Sequence, residues 1–196
     1  MPDALEMTCA DVDDALAIVA LRDELARWQR SVGVDQWQPG EVHPVVVGQQ
    51  VLAGEWWVLR REGAVVATAR VLGEDPHVWG GELGRDGTAS YLHGLMVARS
   101  AVGDGLGARV LDWFCQYALT CGRSVARLDC VADNPRLQRF YLDQGFAEHG
   151  VTDFGPTSGW QPVRRFEKRM HRNRPATDDP QVQTATPAMS VGSALL

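Results

Sequence analysis

Three glycines at alternate positions, Gly103, Gly105 and Gly107, stand between an apolar run and a helix-like pattern. Glycine adopts positive φ angles and lets a ligand approach the backbone closely. A turn of this kind at the start of a helix directs several N–H groups at one point, where the helix dipole adds partial positive charge. The chemistry that this pattern favours is the binding of a phosphate or pyrophosphate group.

Two well-known phosphate-binding motifs differ from this turn. A P-loop requires a lysine after its last glycine, but Ala108 follows Gly107. A dinucleotide-binding Rossmann turn has the spacing GxGxxG and an acidic residue at the end of the next strand. Asp129 would meet the second requirement, but the spacing here is GxGxG and the turn lies in mid-chain. The sequence therefore disfavours both nucleotide-binding motifs.

A second motif lies downstream, in the segment 134–146, NPRLQRFYLDQGF. It contains Asn134, then Tyr141, then Gly145 followed by phenylalanine. Together with the turn VGDGLG at 102–107, this pattern resembles the GNAT superfamily of acyl-CoA-dependent N-acyltransferases. That family has a strand followed by [QR]-x-x-G-x-[GA] at a helix start, and then Asn, Tyr and Gly-Phe at this spacing. The resemblance covers roughly residues 5–170.

The resemblance implies that acetyl-CoA is the cofactor and that backbone groups make most of its contacts. The end of a central strand would bind the pantetheine arm and the thioester carbonyl through Leu95, Met96 and Val97. Asn134 would hydrogen bond to the pantetheine region, and Tyr141 would direct its hydroxyl at the thioester sulfur. The glycine turn would hold the pyrophosphate through Val102, Gly103, Asp104, Gly105, Leu106, Gly107 and Ala108.

Two residues of the turn depart from the family pattern. The family usually has Gln or Arg at the position of Val102, and often a basic residue near that of Asp104. An acid beside a diphosphate is unfavourable unless it points to solvent, so we expect backbone N–H groups to do most of the phosphate binding. Arg99, just upstream, is either a further source of positive charge or an exposed loop arginine.

Transfer to an amine requires a base for the amine, a donor for the developing oxyanion and a proton for the leaving thiolate. The N–H of Val97 is the expected oxyanion donor, and Tyr141 the expected proton donor. His93 is the first candidate base, because strand alternation would place it on the same face as Leu95 and Val97. The arylalkylamine-acetyltransferase branch of the resembling family has a histidine at the corresponding place. The alternatives are a structural role for this histidine, with Glu82, Asp86 or ordered water as the base.

The chain has seven tryptophans, and two of them flank the loop after the first predicted helix. In the family that the sequence resembles, this loop forms one side of the acceptor site, so Trp28, Gln36 and Trp37 are candidate substrate-binding residues. His93 on the central strand is the fourth candidate. Aromatic rings at this loop would stack on a cyclic substrate or hold a cation over the ring face. Packing of the loop onto the core explains them equally well.

A loop of this kind that closes over the site favours a small-molecule amine as the acceptor. A protein N-terminus or lysine is the alternative acceptor. A non-catalytic acyl-CoA-binding regulatory module is the alternative outside enzymes. We expect direct transfer in a ternary complex, because Cys115 and Cys130, the nearest cysteines, have no obvious partner base.

The strands and helices that must position these residues are predicted from the sequence pattern. They follow one another in the order β-α-α-β-β-β-α-β-α-β-β, which indicates an α/β (α+β) fold. The resemblance implies a GNAT fold with a mixed sheet of about six to seven strands, about four helices and a splayed central strand pair. A bulge at the end of the central strand, at Leu95 to Val97, would separate it from the next strand. The predicted strands are 5–9, 56–61, 64–72, 91–97, 124–132, 146–152 and 162–170. The predicted helices are about 13–30, 44–53, 106–120 and 134–144, with a polar loop at 73–90.

Composition limits the remaining possibilities. The chain has 196 residues, a formal charge of −6 and a hydrophobic fraction of 45%. This suits a single domain at 1–170 with a disordered tail at 171–196. The acidic balance disfavours nucleic acid and membrane surfaces as partners, and the four cysteines lack metal-binding spacing. We expect a cytoplasmic protein without a metal, and the sequence leaves both a monomer and a homodimer open.

Overall fold

A computed structural model describes residues 6–34 and 36–171, and its strands form one mixed sheet in the order β1-β2-β3-β4-β5-β7-β6. The strands are β1 Met7–Cys9, β2 Trp56–Arg61, β3 Ala64–Leu72, β4 Ala89–Val97, β5 Val125–Val131, β6 Ala147–Thr152 and β7 Val163–Arg169. The helices are α1 Asp14–Ser31, α2 Pro44–Leu52, α3 Pro76–Trp79, α4 Leu106–Thr120 and α5 Pro135–Asp143. The predicted fold class is confirmed, as are the seven predicted strands and their order along the chain. None of the helices in the described residues has the length and apolar character needed to cross a membrane.

The short helix α3 corrects the prediction of an irregular loop at 73–90 and raises the helix count from four to five. Asp75 caps this helix by accepting a hydrogen bond from the N–H of Val78, and Pro76 occupies the first helical position. The same pair of signals, a capping residue followed by proline, correctly predicted α5 at Asn134. The predicted tail at 171–196 lies outside the described residues, apart from His171.

The helices cover both faces of the sheet, as two adjacent tryptophans of β2 show. The Trp57 ring lies 5.0 Å from that of Trp113 on α4. The indole N–H of Trp56, its neighbour, donates to Gln50 on α2 at 2.9 Å. Since adjacent strand residues point to opposite faces, α4 and α2 lie on opposite faces. The parallel pair β4 and β5, connected by α4, therefore has helices on either side of it.

Strand β4 contains a β-bulge at Gly94, which has a φ of +54°. On β3, Arg70 pairs with His93 and Thr68 with Met96, so three steps along β4 oppose two steps along β3. The Thr68 hydroxyl donates to the carbonyl of Gly94 at 2.7 Å and fixes the bulge. The extra residue reverses the alternation of the strand beyond it.

The bulge makes one sequence-based prediction wrong. His93 pairs with Arg70 and Val97 pairs with Ala67. Arg70 and Ala67 are three residues apart on β3, and therefore point to opposite faces. The side chains of His93 and Val97 consequently lie on opposite faces, whereas regular alternation predicted one shared face. The resemblance implied a bulge near the end of this strand, but the prediction of a shared face assumed regular alternation through it.

The predicted splay between the two central strands is confirmed. β4 and β5 pair only from Ala89 with Val125 to Leu92 with Leu128. Each strand continues beyond the last pair, β4 to Val97 and β5 to Val131. A wedge-shaped gap therefore opens between them towards their carboxyl ends, and the bulge of β4 lies along it.

Replacing Gly94 by Ala should destabilise the fold by about 1–3 kcal/mol, because the new methyl group would overpack the core. An ideal Cβ at this position would come within 2.6 Å of the Trp56 ring, and the residue has a positive φ. Urea denaturation gives the free energy of unfolding directly. The matched control is Gly81→Ala, where no atom lies within 4 Å of the added Cβ and φ is not positive. Equal stability of the two variants would contradict the steric role of the bulge.

Candidate active site

The end of β4 offers a backbone donor to the gap between the strands. The N–H of Ala98 donates to the carbonyl of Val66 at 2.8 Å, so the adjacent pair of Ala67 with Val97 is of the non-hydrogen-bonded type. In such a pair the N–H of Val97 points away from β3, towards the side from which β5 has separated. Met96 is buried in the core, so this part of β4 presents backbone rather than that side chain to the gap. The arrangement fits an extended ligand arm that pairs with β4 as a strand would.

The glycine turn leads into α4 with the geometry that its sequence predicts. Gly103 and Gly105 have φ values of +98° and +72°. The amides of Leu106, Gly107 and Ala108 open the helix and have no acceptor within it. A Cβ on Gly107 would lie 3.2 Å from the ring of Phe140. This third glycine therefore permits close packing of α5 against the first turn of α4.

The side chains around this turn differ from the sequence-based expectation in the surroundings of Asp104. Val102 is exposed and supplies no charge. Asp104 does not simply point to solvent, because its carboxylate lies 2.8 Å from the guanidinium of Arg61 at the end of β2. Sequence reasoning missed Arg61, which lies 43 positions before Asp104 and belongs to no recognised motif. Arg99 lies over the ring of Trp28 on α1, 4.0 Å from the ring centroid.

Helix α5 carries the two residues of the second motif. Asn134 is the N-cap of α5, and its side-chain oxygen accepts the N–H of Leu137 at 3.1 Å. Tyr141 is only 5% exposed, and its ring packs on Phe146 and Phe166. Burial raises the pKa of the Tyr141 hydroxyl above its ordinary value, and the nearby Asp129 carboxylate adds to the effect. The hydroxyl therefore keeps its proton and can act as a donor.

His93 lies between two carboxylates that sequence reasoning did not assign to it. Its Nε2 is 3.2 Å from Asp75 of the α3 cap, and its Nδ1 is 3.7 Å from Asp129 of β5. The Asp75 side chain is 8% exposed and the Asp129 side chain 15%. Asp129 is adjacent to His93 because the parallel strands diverge only one pair earlier, at Leu92 with Leu128. The imidazole is thus held at the beginning of the wedge-shaped gap.

Electrostatics at this cluster favour the protonated form of the His93 imidazole more than water does. Burial lowers the pKa of His93, but Asp75 and Asp129 outweigh it, so the pKa is raised above 6.5 although Arg70 opposes the shift. Burial raises the pKa of the Asp75 carboxyl, but its contact with His93 dominates and lowers it. Burial raises the pKa of Asp129, and His93 compensates only in part. The pKa of each of the three groups therefore depends on the charges of the other two.

The same three residues are close enough to consider as metal ligands, with donor atoms within 4.8 Å of one another. However, the two carboxylates face different nitrogens of one imidazole. A metal bound to one nitrogen would have only one of these carboxylates on its own side of the ring. Zinc sites need at least three protein ligands around one point. The arrangement therefore suits proton exchange better than metal binding.

The alternative bases proposed from sequence have other positions. Glu82 is exposed in the loop before β4. Asp86 is 2.9 Å from the guanidinium of Arg127, which is 3% exposed and also bonds to Glu167. Since a buried cation requires paired carboxylates, Asp86 has a structural role. The geometry thus favours His93 over both alternatives.

The predicted acceptor-binding residues other than His93 lie on α1 and the loop after it. Trp28 is stacked against Arg99, and Trp37 packs on the core with Arg22 5.2 Å from its ring. Gln36 accepts a hydrogen bond from the side chain of Gln29 at 3.4 Å. These contacts support the alternative that the two tryptophans anchor the loop. Their role towards an acceptor stays a prediction.

The cysteines nearest to the site are unsuited to a covalent step. Cys115 and Cys130 are both buried and free. Burial raises the pKa of the Cys115 thiol, and that of the Cys130 thiol to about 12. Since the thiolate is the nucleophilic form of cysteine, neither side chain is primed to accept an acyl group.

Comparison with known proteins shows the family of the chain. The sequence model of the acetyltransferase (GNAT) family matches residues 22–146. The uncharacterized N-acetyltransferase YesJ of Bacillus subtilis (strain 168) is 33% identical over 150 residues, which are 73% of this chain and 82% of that protein. The crystal structure of a GNAT-family acetyltransferase from Listeria monocytogenes 4b F2365 has a TM-score of 0.69 at 24% identity, covering 85% of this chain and 95% of its own.

A further solved structure, yncA of Salmonella typhimurium with its cofactor acetyl-CoA, has a TM-score of 0.64 at 16% identity, covering 87% of this chain and 96% of its own. At these identities the two solved structures show the shared fold alone. The family match covers more than half of the chain, and the Bacillus relative matches it over most of its length. The chain therefore belongs to the GNAT family of acetyltransferases.

Proposed function

We propose that the protein transfers an acetyl group from acetyl-CoA to the primary amine of a small molecule, by direct attack in a ternary complex. The observation that carries this proposal is the position of His93. It is held between Asp75 and Asp129 at the start of a gap into which the N–H of Val97 points. A proton acceptor and an oxyanion donor thus border the same gap.

The residues around this gap fit acetyl-CoA, which supplies the acetyl group as an activated thioester. The amides of the glycine turn and the start of α4 would bind the pyrophosphate. The exposed backbone edge of β4, from Leu95 to Val97, would pair with the pantetheine arm. Asn134 uses its side-chain oxygen as a helix cap, so its amide NH₂ group is the part that would donate to the arm.

Three groups of the chain would take part in the transfer of the acetyl group. His93 would accept the proton of the attacking amine, which must be neutral to attack. The N–H of Val97 would donate to the carbonyl oxygen as negative charge develops on it. Tyr141, protonated because of its burial, would give its proton to the departing thiolate. The high pKa values of the buried thiols support this direct route over a cysteine intermediate.

A small-molecule acceptor is supported by an aromatic cluster that includes His77, two residues after the Asp75 that contacts His93. His77 and Phe154 stack at 4.8 Å, and Trp160 packs on both at 5.2 and 5.6 Å. His77 belongs to α3, which starts directly after Asp75, and the other two rings come from the loop between β6 and β7. We call these three residues the aromatic rim. Trp160 is 60% exposed, so the rim offers ring faces to a planar or cationic group.

A screen of primary amines with acetyl-CoA, read out as free thiol, tests this proposal. We expect turnover with small amines that carry an aromatic or second cationic group, and little with simple alkylamines. Trp160→Ala should raise the KM for such an amine and leave the KM for acetyl-CoA unchanged.

The cytoplasm is the proposed compartment, since all four cysteines are free.

Two results would decide against the proposal. Turnover with peptides but not with small amines would favour a protein N-terminus or lysine as the acceptor. Binding of acetyl-CoA without turnover of any amine would favour a non-catalytic module. Retention of both Asn134 and Tyr141 argues against that second result.

A further inference from the structure

We propose that Arg61 is a phosphate ligand of the glycine turn, and that Asp104 is a competing acceptor that the cofactor's pyrophosphate displaces. The inference rests on the proposed function, because the anion is that of acetyl-CoA. It assigns a binding role to the end of the β2–β3 hairpin, which carries no phosphate-binding motif.

The fold brings the end of this hairpin over the glycine turn. The last pair of β3 with β4 is Ala67 with Val97, so the hairpin extends beyond the end of β4. Glu62 and Gly63 form its tight turn, with φ values of +50° and +81°. The chain after β4 follows the hairpin at first, since the N–H of Ala98 donates to the carbonyl of Val66. Arg61 directly precedes the tight turn and is therefore placed to reach Asp104.

The Arg61 guanidinium can leave the Asp104 carboxylate and bind a phosphate group instead. The Arg61 guanidinium and the Asp104 carboxylate are 2.8 Å apart, and their side chains are 39% and 44% exposed. Ion pairs that are this accessible to water contribute little to stability. A diphosphate carries more charge than one carboxylate and offers oxygens that match the planar guanidinium. A pyrophosphate held by the nearby amides would therefore compete successfully for Arg61.

The turn itself lacks positively charged side chains, so a pyrophosphate there needs a cationic side chain from elsewhere in the fold. Val102 lacks the charge that the family motif usually supplies, and Asp104 adds a negative charge where a diphosphate should bind. The neighbouring arginine of the hairpin, Arg60, is committed to Asp14, whose two carboxylate oxygens are both 2.5 Å away. Arg99 is stacked on Trp28. Arg61 is in direct contact with the turn and offsets the charge of Asp104.

Calorimetric titration of the full chain with acetyl-CoA at low salt tests the proposal. Arg61→Ala should weaken binding of acetyl-CoA about tenfold, as expected for a lost charge-assisted hydrogen bond. Asp104→Asn should tighten binding, because it frees Arg61 and removes a repulsive charge. The matched control is Arg169→Ala, which removes an arginine that is 79% exposed and pairs with Val125 at the opposite end of the sheet. This control should bind as the wild type does.

The possible outcomes separate the claims. Wild-type affinity in Arg61→Ala overturns the phosphate-ligand role, and equal weakening by Asp104→Asn overturns the competitor role. With dephospho-CoA, the loss caused by Arg61→Ala should persist; its disappearance would move Arg61 to the 3′-phosphate and overturn the pyrophosphate assignment. Failure of the wild type to bind acetyl-CoA would instead contradict the proposed function. Thermal melting of each variant checks that the fold is intact.

Discussion

Replacing Tyr141 by Phe should lower kcat about a hundredfold, the lower end of what a positioned proton donor contributes, and leave the affinity for acetyl-CoA nearly unchanged. The substitution removes one oxygen from a ring that is 5% exposed and packed on Phe146 and Phe166. The ring itself stays, so the packing between α5 and β7 is retained. The lost function is the transfer of a proton to the departing thiolate.

The measurement is a comparison of steady-state kcat with the calorimetric affinity for acetyl-CoA. Tyr117→Phe is the matched control, because it removes a phenol hydroxyl on α4, where the ring stacks with Trp113. This control should keep wild-type values of both quantities. If Tyr141→Phe turned over as fast as the wild type, the buried hydroxyl would be a packing group and solvent would protonate the thiolate.

The motifs of the sequence predicted the local structure of the glycine turn and of α5 better than the surroundings of His93. The glycine turn and Asn134 act locally: positive φ values, a helix start and a helix cap depend on residues within a few positions. For this reason the turn and both ends of α5 agree with the structure closely. Tyr141 was identified through the family resemblance, by its position after Asn134 in the second motif.

The surroundings of His93 depend on contacts between distant segments, which a single sequence does not specify. Asp75 belongs to a loop that was predicted as irregular, and Asp129 comes near only through the parallel pairing of β4 with β5. The bulge at Gly94 decides which face each residue of β4 occupies, and it depends on Thr68 and on the space left by Trp56. The Asp75-Pro76 pair is the one local signal that could have revealed α3, since it has the same form as Asn134-Pro135.

The pH dependence of activity is the second large expected effect. If His93 acts as the base, only its neutral form is active, so kcat/KM should rise as pH increases through the pKa of His93. Because Asp75 and Asp129 raise this pKa above 6.5, the acidic limb of the profile should lie above that value. His93→Gln should abolish this limb and lower kcat about a hundredfold. His171→Ala, at an exposed histidine, is the matched control and should keep the wild-type profile.

Asp75→Asn isolates the electrostatic part of this arrangement. Asparagine caps helices as well as aspartate does, so the hydrogen bond from Val78 to the α3 cap can persist while the charge is lost. Removal of one of the two carboxylates lowers the pKa of His93, since Arg70 on β3 then meets less opposition. The acidic limb should therefore move to lower pH, with the affinity for acetyl-CoA unchanged. A merely structural Asp75 would lower the rate equally at every pH, and an unshifted limb would mean that another group removes the proton.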